Sequence, residues 1–276
     1  MKTFVIDLNK CVGCYICQLV CKDEHVGNDW TPYAKPQPDT GQFWMKVDER
    51  IRGSVPKVMV SYLPTPCMHC EDAPCITECF EGAINRRDDG LVIIEPEKCT
   101  GCRNCVDACP YGVIYFNEDL YLAQKCTGCA HLLDQGWEEP RCVTACPTEA
   151  LIFGEESDLP DLSDKTEVLH PEYGTRPRVF YIDLPKPFIG GSIFDPEGDE
   201  CIEGASVSLL IDETDEIIST TLTDAFGDFW FRKLDVGAYS LLIKKDGYLP
   251  ITVKDISTEK DVNVGDIALY EEAVLV

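Results

Sequence analysis

The stretch "CVGCYICQLVC", residues 11–21, places four cysteines in eleven residues at the spacing C-x2-C-x2-C-x3-C. Four thiols this close together cannot all find independent, unstrained disulfide partners within the run. A structural zinc site usually takes two cysteine pairs that are separated by a longer gap. The spacing is instead typical of a loop that presents three thiolates to one iron–sulfur cluster. The fourth cysteine, one helical turn further on, binds the other cluster in two-cluster bacterial ferredoxins, so this run predicts a second one.

Sixteen of the 17 cysteines fall into four such quartets, so the chain contains an internal repeat. The quartets are Cys11, Cys14, Cys17 and Cys21; Cys67, Cys70, Cys75 and Cys79; Cys99, Cys102, Cys105 and Cys109; and Cys126, Cys129, Cys142 and Cys146. The third quartet has the spacing of the first, whereas the fourth opens its middle gap to twelve residues. The spacing of the fourth quartet alone would also suit a zinc site, but the presence of the other three quartets favours an iron–sulfur cluster there. Cys201 stands apart and is predicted to be a small, buried or half-buried hydrophobic residue, not a ligand.

Two hairpins are predicted to deliver the chain to the third and fourth quartets. They lie in "AINRRDDGLVIIEPEKC" (83–99), where apolar runs flank the turn pair Asp89-Gly90, and in "GVIYFNEDLYLAQKC" (112–126). The C-x3-C ending of each quartet suits one turn of helix. A glycine inside a cysteine loop lets the backbone approach inorganic sulfur closely. These glycines are Gly13, Gly101 and Gly128.

The chain of 276 residues carries a formal charge of −25, and the acidity is spread over its whole length. This charge argues against binding to nucleic acid and against an anionic membrane surface. No apolar run approaches the roughly 20 residues of a membrane-spanning helix, and the first residues do not resemble a signal peptide. A thiol-rich chain without an export signal predicts a reducing cytoplasm. Export of the folded subunit on a partner's signal is the alternative.

The cysteine-rich part resembles the four-cluster iron–sulfur subunits of molybdenum oxidoreductases of the dimethyl sulfoxide reductase type. The resemblance covers roughly residues 1–190 and rests on the order of the quartets, on "CMHCEDAPC" (67–75) and on "KCTGCAHLLDQGWEEPRCVTACP" (125–147). It implies three to four 4Fe–4S clusters, with four preferred. It also implies a large catalytic partner subunit that carries molybdenum and molybdopterin guanine dinucleotide, neither of which binds to this chain.

The resemblance further implies that the first quartet pairs with the fourth and the second with the third, by exchange of their fourth cysteines. The implied ligand sets, numbered as sites, are Cys11, Cys14, Cys17 and Cys146 (site 1); Cys126, Cys129, Cys142 and Cys21 (site 2); Cys67, Cys70, Cys75 and Cys109 (site 3); and Cys99, Cys102, Cys105 and Cys79 (site 4). One departure is Phe80, where the family usually has proline. His69 and His131 lie in or beside cysteine loops as candidate hydrogen-bond donors to cluster sulfur, not as ligands.

A long excursion, residues 22–66, separates the first two quartets and contains several aromatic residues. So long a segment is unlikely to lack structure inside a compact domain. One interpretation is that it folds over the ferredoxin-like core and buries its aromatic side chains. The other is that it forms part of the surface that holds the larger catalytic subunit, where Trp and Tyr are favoured.

The pattern changes after the last quartet. Residues 155–182 are polar and contain prolines, which predicts a connector, and residues 183–276 contain seven short runs with period-2 alternation. These runs predict a seven-stranded β-sandwich. The segment "TDAFGDFWFRKLDVGAYSLLIKKDGY" (223–248) resembles the carboxypeptidase-regulatory-like, transthyretin-type sandwich. The predicted fold is therefore α+β: a tandem bacterial-ferredoxin-like module, residues 1–182, followed by an all-β domain.

The sandwich contains no histidine and no acid–base pair, so we expect it to be an interaction or shielding module, through which a higher oligomer could form. The whole chain is predicted to be an electron-transfer subunit without catalytic residues or a substrate site. The joint "VFYIDLPKPFIGG" (179–191) narrows the resemblance to a member of the family that transfers hydroxyl groups between phenols at a molybdenum site on its large subunit. Two alternatives remain open: the electron-conducting subunit of a membrane-anchored reductase, and a subunit whose clusters are chiefly structural.

Overall fold

The computed structural model describes residues 1–159 and 165–272 and divides the chain into two compact units. The first unit comprises Met1–Arg50 and Tyr62–Leu184, and the second comprises Ile51–Ser61 and Pro185–Val276. The elements described between residues 1 and 184 are, in chain order, β1 (Lys2–Asp7), α1 (Ile16–His25), β2 (Lys46–Ser54), β3 (Lys57–Thr65), α2 (Pro74–Thr77), β4 (Ile84–Arg86), β5 (Val92–Ile94), α3 (Asn104–Ala108), β6 (Tyr115–Asn117), β7 (Leu122–Gln124), α4 (Ala130–Leu133), α5 (Arg141–Thr144), β8 (Leu151–Glu155), β9 (Thr166–Val168), a 3-10 helix (Pro171–Tyr173) and β10 (Val179–Ile182).

The largest sheet of the first unit has the strand order β8-β1-β10-β9. Strand β1 pairs antiparallel with β8 and parallel with β10, and its side chains from Thr3 to Ile6 are all buried. A near-continuous apolar strand is expected where both faces of a sheet are covered. Strands β9 and β10 lie in the segment that we expected to be a connector. The polar composition of residues 155–182 conceals an alternating pattern in β10, whose Val179 and Tyr181 are fully buried.

Two short hairpins precede the third and fourth quartets, as predicted. Strand β4 pairs antiparallel with β5, and β6 pairs antiparallel with β7. The first hairpin turns where the Asp89-Gly90 pair predicts it, with the Gly90 N–H donating to the carbonyl oxygen of Arg87 at 2.9 Å. The hairpins place the first cysteine of each following quartet next to the core.

Short helices occupy the C-x3-C endings of the quartets, again as predicted. Helices α2, α3 and α5 have four or five residues, whereas α1 extends to ten. Helix α1 packs against α5, and α2 packs against α3. The first quartet is therefore held beside the fourth and the second beside the third.

The second unit contains two four-stranded sheets. The strands that the structure describes after residue 184 are β11 (Ile189–Asp195), β12 (Glu200–Cys201), β13 (Ser206–Ile211), β14 (Glu216–Leu222), β15 (Asp228–Phe231), β16 (Ala238–Lys244), β17 (Ile251–Ser257) and β18 (Val262–Ala268). One sheet joins β12, β11, β15 and β18, and the other has the order β14-β13-β16-β17. Each of the seven predicted runs contains a strand, and their inward side chains form one apolar core. The eighth strand, β12, has only two residues and is too short to show an alternating pattern.

The tip of the β2–β3 hairpin, residues 51–61, also belongs to this second unit. The buried Lys57 forms an ion pair with Asp228, and its Nζ lies 5.5 Å from the ring centroid of Trp230. Arg52 binds Asp261 in a two-pronged contact, with Nη2–Oδ1 at 2.6 Å and Nε–Oδ2 at 3.1 Å. The sandwich is thus built from two separate stretches of sequence, whereas we expected residues 51–61 to form part of an insertion in the first domain.

Candidate metal centres

The predicted thiols of site 1 surround one cavity. Cys11, Cys14, Cys17 and Cys146 all line it. Cys17 lies on α1, and Cys146 follows α5. The packing of these two helices therefore brings the fourth thiol, from the far end of the first unit, to the loop that holds the other three.

Sites 3 and 4 have the same construction. One cavity is lined by Cys67, Cys70, Cys75 and Cys109, and a second by Cys79, Cys99, Cys102 and Cys105. In each case three thiols come from one quartet and the fourth comes from its partner quartet. The two cavities thus group thiols of the second and third quartets in the sets that the resemblance implied, and their binding of clusters stays a prediction.

Site 2 is recognised by the influence of its thiols on one another. Burial raises the pKa of Cys21 well above its usual value, and the thiols of Cys126 and Cys129 raise that pKa further. Burial also raises the pKa of Cys142 strongly, with Cys129, Cys21 and Cys126 as the next causes. All four thiols are buried. Cys21 therefore lies with the fourth quartet.

Thiols of neighbouring sites influence one another's pKa in the order 1, 2, 3, 4. Cys142 of site 2 also has its pKa raised by Cys17 of site 1, and Cys126 of site 2 has its pKa raised by Cys67 of site 3. After burial and Cys99, the next cause that raises the pKa of Cys105 in site 4, to about 12, is Cys75 of site 3. Among the sixteen thiols of the four sites, exposed ones occur only at the two end sites. These are Cys14 in site 1 and Cys102 in site 4.

The donor chemistry of the sites suits a sulfur-ligated group. All 17 cysteines lie in the described part of the chain and are free thiols. Among the described residues, no group of three or more His, Cys, Asp or Glu side chains could hold a single metal ion. The thiols of sites 1, 3 and 4 instead surround an open space, as ligands of a multinuclear cluster must.

Backbone N–H groups already point at several of the ligand sulfurs. The N–H groups of His69, Gly128 and Ala150 donate to the sulfurs of Cys67, Cys126 and Cys146, at N···S distances of 3.4, 3.4 and 3.3 Å. Such bonds stabilise negative charge on sulfur, and hydrogen bonds to the sulfurs are one determinant of cluster potential.

His69 supplies a further donor. Its Nδ1 accepts a hydrogen bond from the backbone N–H of Val92 at 3.0 Å, so the neutral ring carries its proton on Nε2. Burial lowers the pKa of His69 well below its usual value, and the charge of Lys125 lowers it further, so the ring is neutral. Nε2 is buried without a hydrogen-bond partner among the described residues. An inorganic sulfide would supply the acceptor that this N–H lacks, which agrees with the donor role expected for His69.

The loop glycines also meet a steric requirement that the sequence analysis did not name. A Cβ atom on Gly101, at φ +73°, would lie 2.5 Å from the carbonyl oxygen of Tyr121. A Cβ on Gly13, at φ +66°, would lie 2.4 Å from the ring of Tyr62. In both cases the protein atoms opposite the loop, together with the left-handed backbone, require glycine. The expectation invoked only the approach of backbone to sulfur.

The aromatic residues of the 22–66 segment pack into the first unit. Trp44 is buried, with its ring centroid 4.6 Å from that of His25. Trp30 stacks on His131 at 4.3 Å, and His131 Nε2 lies 3.1 Å from Oε1 of Glu24. These contacts support the interpretation that the segment covers the core.

One residue that the sequence analysis passed over is Lys125, whose side chain is buried beside Cys126. The available signal was a lysine immediately before the first cysteine of three quartets.

Within residues 1–159 and 165–272, the structure contains no helix that is long and apolar enough to cross a membrane.

Two family models match the chain. The model of the 4Fe–4S dicluster domain matches residues 58–156, and that of the carboxypeptidase regulatory-like domain matches residues 189–270. Both matches agree with the two kinds of domain predicted from the sequence.

Several characterised proteins are similar in sequence. The pyrogallol hydroxytransferase small subunit of Pelobacter acidigallici is 40% identical over 96% of this chain and 98% of its own length. The arsenate respiratory reductase iron–sulfur subunit of Shewanella sp. (strain ANA-3) is 35% identical, over 64% of this chain and 94% of its own. The B subunit of the anaerobic dimethyl sulfoxide reductase of Escherichia coli is 36% identical, over 56% of this chain and 74% of its own.

Proposed function

The chain belongs to the family of iron–sulfur electron-transfer subunits that includes the pyrogallol hydroxytransferase small subunit, and on that premise we propose its cluster content, its partner and its reaction. The proposal is that four 4Fe–4S clusters bind at sites 1 to 4. The cross-quartet cavities of sites 1, 3 and 4 support these ligand sets, as do the buried thiols of site 2. When bound, such clusters supply one-electron redox chemistry.

The protein's own contribution is to hold, insulate and connect the sites. The observation that carries the proposal is their serial order, with one exposed thiol each at sites 1 and 4 and only buried or half-buried thiols at sites 2 and 3. Such an order suits electron movement from one surface of the first unit to another. The apolar lining of site 3, which includes Val92, Val113 and Ile114, excludes water and so lowers the local dielectric.

We propose that the partner is a large subunit that carries molybdenum and molybdopterin guanine dinucleotide. The reaction would be hydroxyl transfer between pyrogallol-type phenols on that subunit, and this chain would contribute no substrate site. Similarity at 40% identity over nearly the whole chain, sandwich included, supports this member over the reductases, which match about two thirds of the chain or less. The free thiols support a reducing, cytoplasmic location.

A second role, in which the clusters chiefly maintain the fold, also has a specific observation in its favour. Helices α2, α3 and α5 are only four or five residues long, and helices of that length are not stable alone. Hydroxyl transfer between phenols consumes no electrons overall. The clusters would then set or restore the oxidation state of the partner's metal, or serve mainly as cross-links.

The test is native purification of the chain with whatever polypeptide accompanies it, followed by metal analysis and a redox titration during turnover. We expect iron for four clusters per chain, molybdenum on a larger partner, and clusters whose oxidation state changes when a phenol substrate is added. Clusters that stay in one state throughout turnover would leave only the structural role. Purification with an integral membrane subunit, or iron for two clusters or fewer, would contradict the proposal.

A further inference from the structure

A lysine immediately precedes the first cysteine of three of the four quartets: Lys10, Lys98 and Lys125. Two of these side chains are solvated, since Lys10 is exposed and the Lys98 side chain is 54% exposed. Lys125 is only 2% exposed. The same position of the repeat thus holds a surface lysine twice and a buried lysine once.

The contacts of Lys125 leave its charge without an anionic partner. Its Nζ donates hydrogen bonds to the carbonyl oxygen of Val92 and, at 3.1 Å, to that of Cys126. Among the residues that the structure describes, no carboxylate forms an ion pair with it. Carbonyl oxygens satisfy the donors but bring no net charge, and a buried ammonium without a counter-charge is strongly unfavourable. A negative charge must therefore come from a group nearby.

The nearby candidates are the ligands of the two central sites. Val92, whose carbonyl oxygen accepts a hydrogen bond from Lys125 Nζ, lines the cavity of site 3 together with Cys75. The other carbonyl that Nζ contacts belongs to Cys126, a ligand proposed for site 2. Lys125 thus lies where it acts on thiolates of site 2 and site 3 together.

We propose that Lys125 is the shared counter-charge of sites 2 and 3 and that it raises the reduction potentials of the clusters bound there. This inference rests on the proposed function, because it requires clusters at these sites. A reduced cluster is one unit more negative than an oxidised one, so a fixed positive charge in a low-dielectric environment stabilises the reduced form. The lysines at sites 1 and 4 have no such effect, since solvent screens them.

The experiment is a potentiometric titration, followed by electron paramagnetic resonance, of the intact complex carrying substitutions at Lys125. Lys125→Met removes the charge and the donors, Lys125→Gln keeps an N–H donor without the charge, and Lys125→Arg keeps the charge. Lys98→Met is the matched control, because it removes a lysine from the same position of another quartet. Iron is counted in every variant.

With Met or Gln at position 125, two of the four clusters should titrate at lower potential. The expected change is about tenfold or more in the ratio of oxidised to reduced cluster at a fixed potential, which is about 59 mV for a one-electron couple. Lys125→Arg and Lys98→Met should leave all potentials near those of the wild type. Unchanged potentials in both neutral variants with full iron would overturn the proposal.

The iron content of the Lys125 variants is a second test of the proposal. If both neutral variants lose clusters while Lys125→Arg retains them, the charge is required for binding and the proposal stands. If Lys125→Arg loses clusters as well, the side chain has a packing role and the proposal fails. Wild-type protein without four clusters would instead contradict the proposed function, which keeps the two failures apart.

Discussion

Cys79 and Cys102 come from different cysteine quartets, yet both line the cavity of site 4. If they bind one cluster, Cys79→Ser and Cys102→Ser should each lose that cluster, and the double variant should lose nothing more. Effects on a shared element are not additive, whereas effects on separate elements are. Iron content per chain and the number of paramagnetic centres measure the outcome.

The matched control for these variants is Cys201→Ser, which should keep its full iron because Cys201 lies in the second unit. Cys201 is exposed on the two-residue strand β12, so the prediction that it is buried or half-buried was wrong. Two clusters missing from the double variant, with one missing from each single variant, would mean that Cys79 serves its own quartet. In that case the exchange of cysteines would be wrong.

A second prediction concerns Gly101. Replacement by alanine should destabilise the first unit by more than the same change at Gly112, because a Cβ on Gly101 would lie 2.5 Å from a backbone oxygen. A Cβ on Gly112, at φ +62°, would have nothing within 4 Å of it, so this variant isolates the backbone effect. We expect a loss of about 1–2 kcal/mol from the left-handed backbone alone. Apparent unfolding temperature and iron retention would measure the difference, and equal losses in the two variants would refute the steric argument.

A third prediction concerns the ion pair that joins residues 51–61 to the sandwich. Lys57→Met leaves the carboxylate of Asp228 without its cation, and the Lys57 side chain is only 3% exposed. We expect a loss of about 1 kcal/mol or less in the second unit, because the Asp228 side chain is 32% exposed and keeps its hydrogen bond from Ser192. Hydrogen exchange measured in β15 should accelerate, while exchange in β1 should not change.

The control for Lys57→Met is Lys254→Met, on an exposed position of β17. Slow exchange in β15 that persists in Lys57→Met would mean that residues 51–61 do not contribute to the stability of the sandwich.

A chain truncated after Leu184 should retain its iron while it assembles poorly with its partner, because all sixteen cysteines of the quartets precede residue 185.

A fourth prediction concerns pH. Hydrogen bonds from Arg87 and Tyr33 lower the pKa of Asp134 from 3.8 to about 2. Because the folded pKa lies below the unfolded one, the stabilising contribution is complete above about pH 4 and disappears only as the pH falls toward 2. The difference in stability between the wild type and Asp134→Asn should therefore be the same at pH 6 and pH 8. It should not exceed about 1 kcal/mol, because the Asp134 side chain is 40% exposed.

Chemical denaturation at the two pH values would measure this difference. If the difference in stability changes between pH 6 and pH 8, another titrating group must be coupled to Asp134. A third pH above the pKa of Tyr33, which Asp134 raises, should reduce the difference, because the phenol then loses the proton that it donates.

The cysteine loops were predictable because their signal is local. Ligand spacing, hairpin turns and the helical C-x3-C endings all depend on residues within a dozen positions of one another, and the structure contains each of them. The alternating strands of the sandwich were predictable for the same reason. Among the described strands of the sandwich that follow residue 184, only the two-residue β12 was not predicted.

The missed features depend on contacts between distant residues. Nothing in "IRGSVPKVMVS" (51–61) indicates that Lys57 pairs with Asp228, so the assignment of this hairpin tip to the second unit could not be foreseen. The burial of Lys125 depends on a carbonyl of Val92, a residue of another hairpin. The polar residues before β10 masked a strand whose partner, β1, begins the chain.

The distance in sequence between Cys11 and Cys146 also limits the order of biosynthesis. The cavity of site 1 opens with the first cysteine of the chain and is completed only by the last cysteine of the fourth quartet. A nascent chain therefore has three of the four thiols long before the fourth is translated. Site 1, although it begins first, is finished last, and any factor that inserts its cluster must act after the ribosome has passed Cys146.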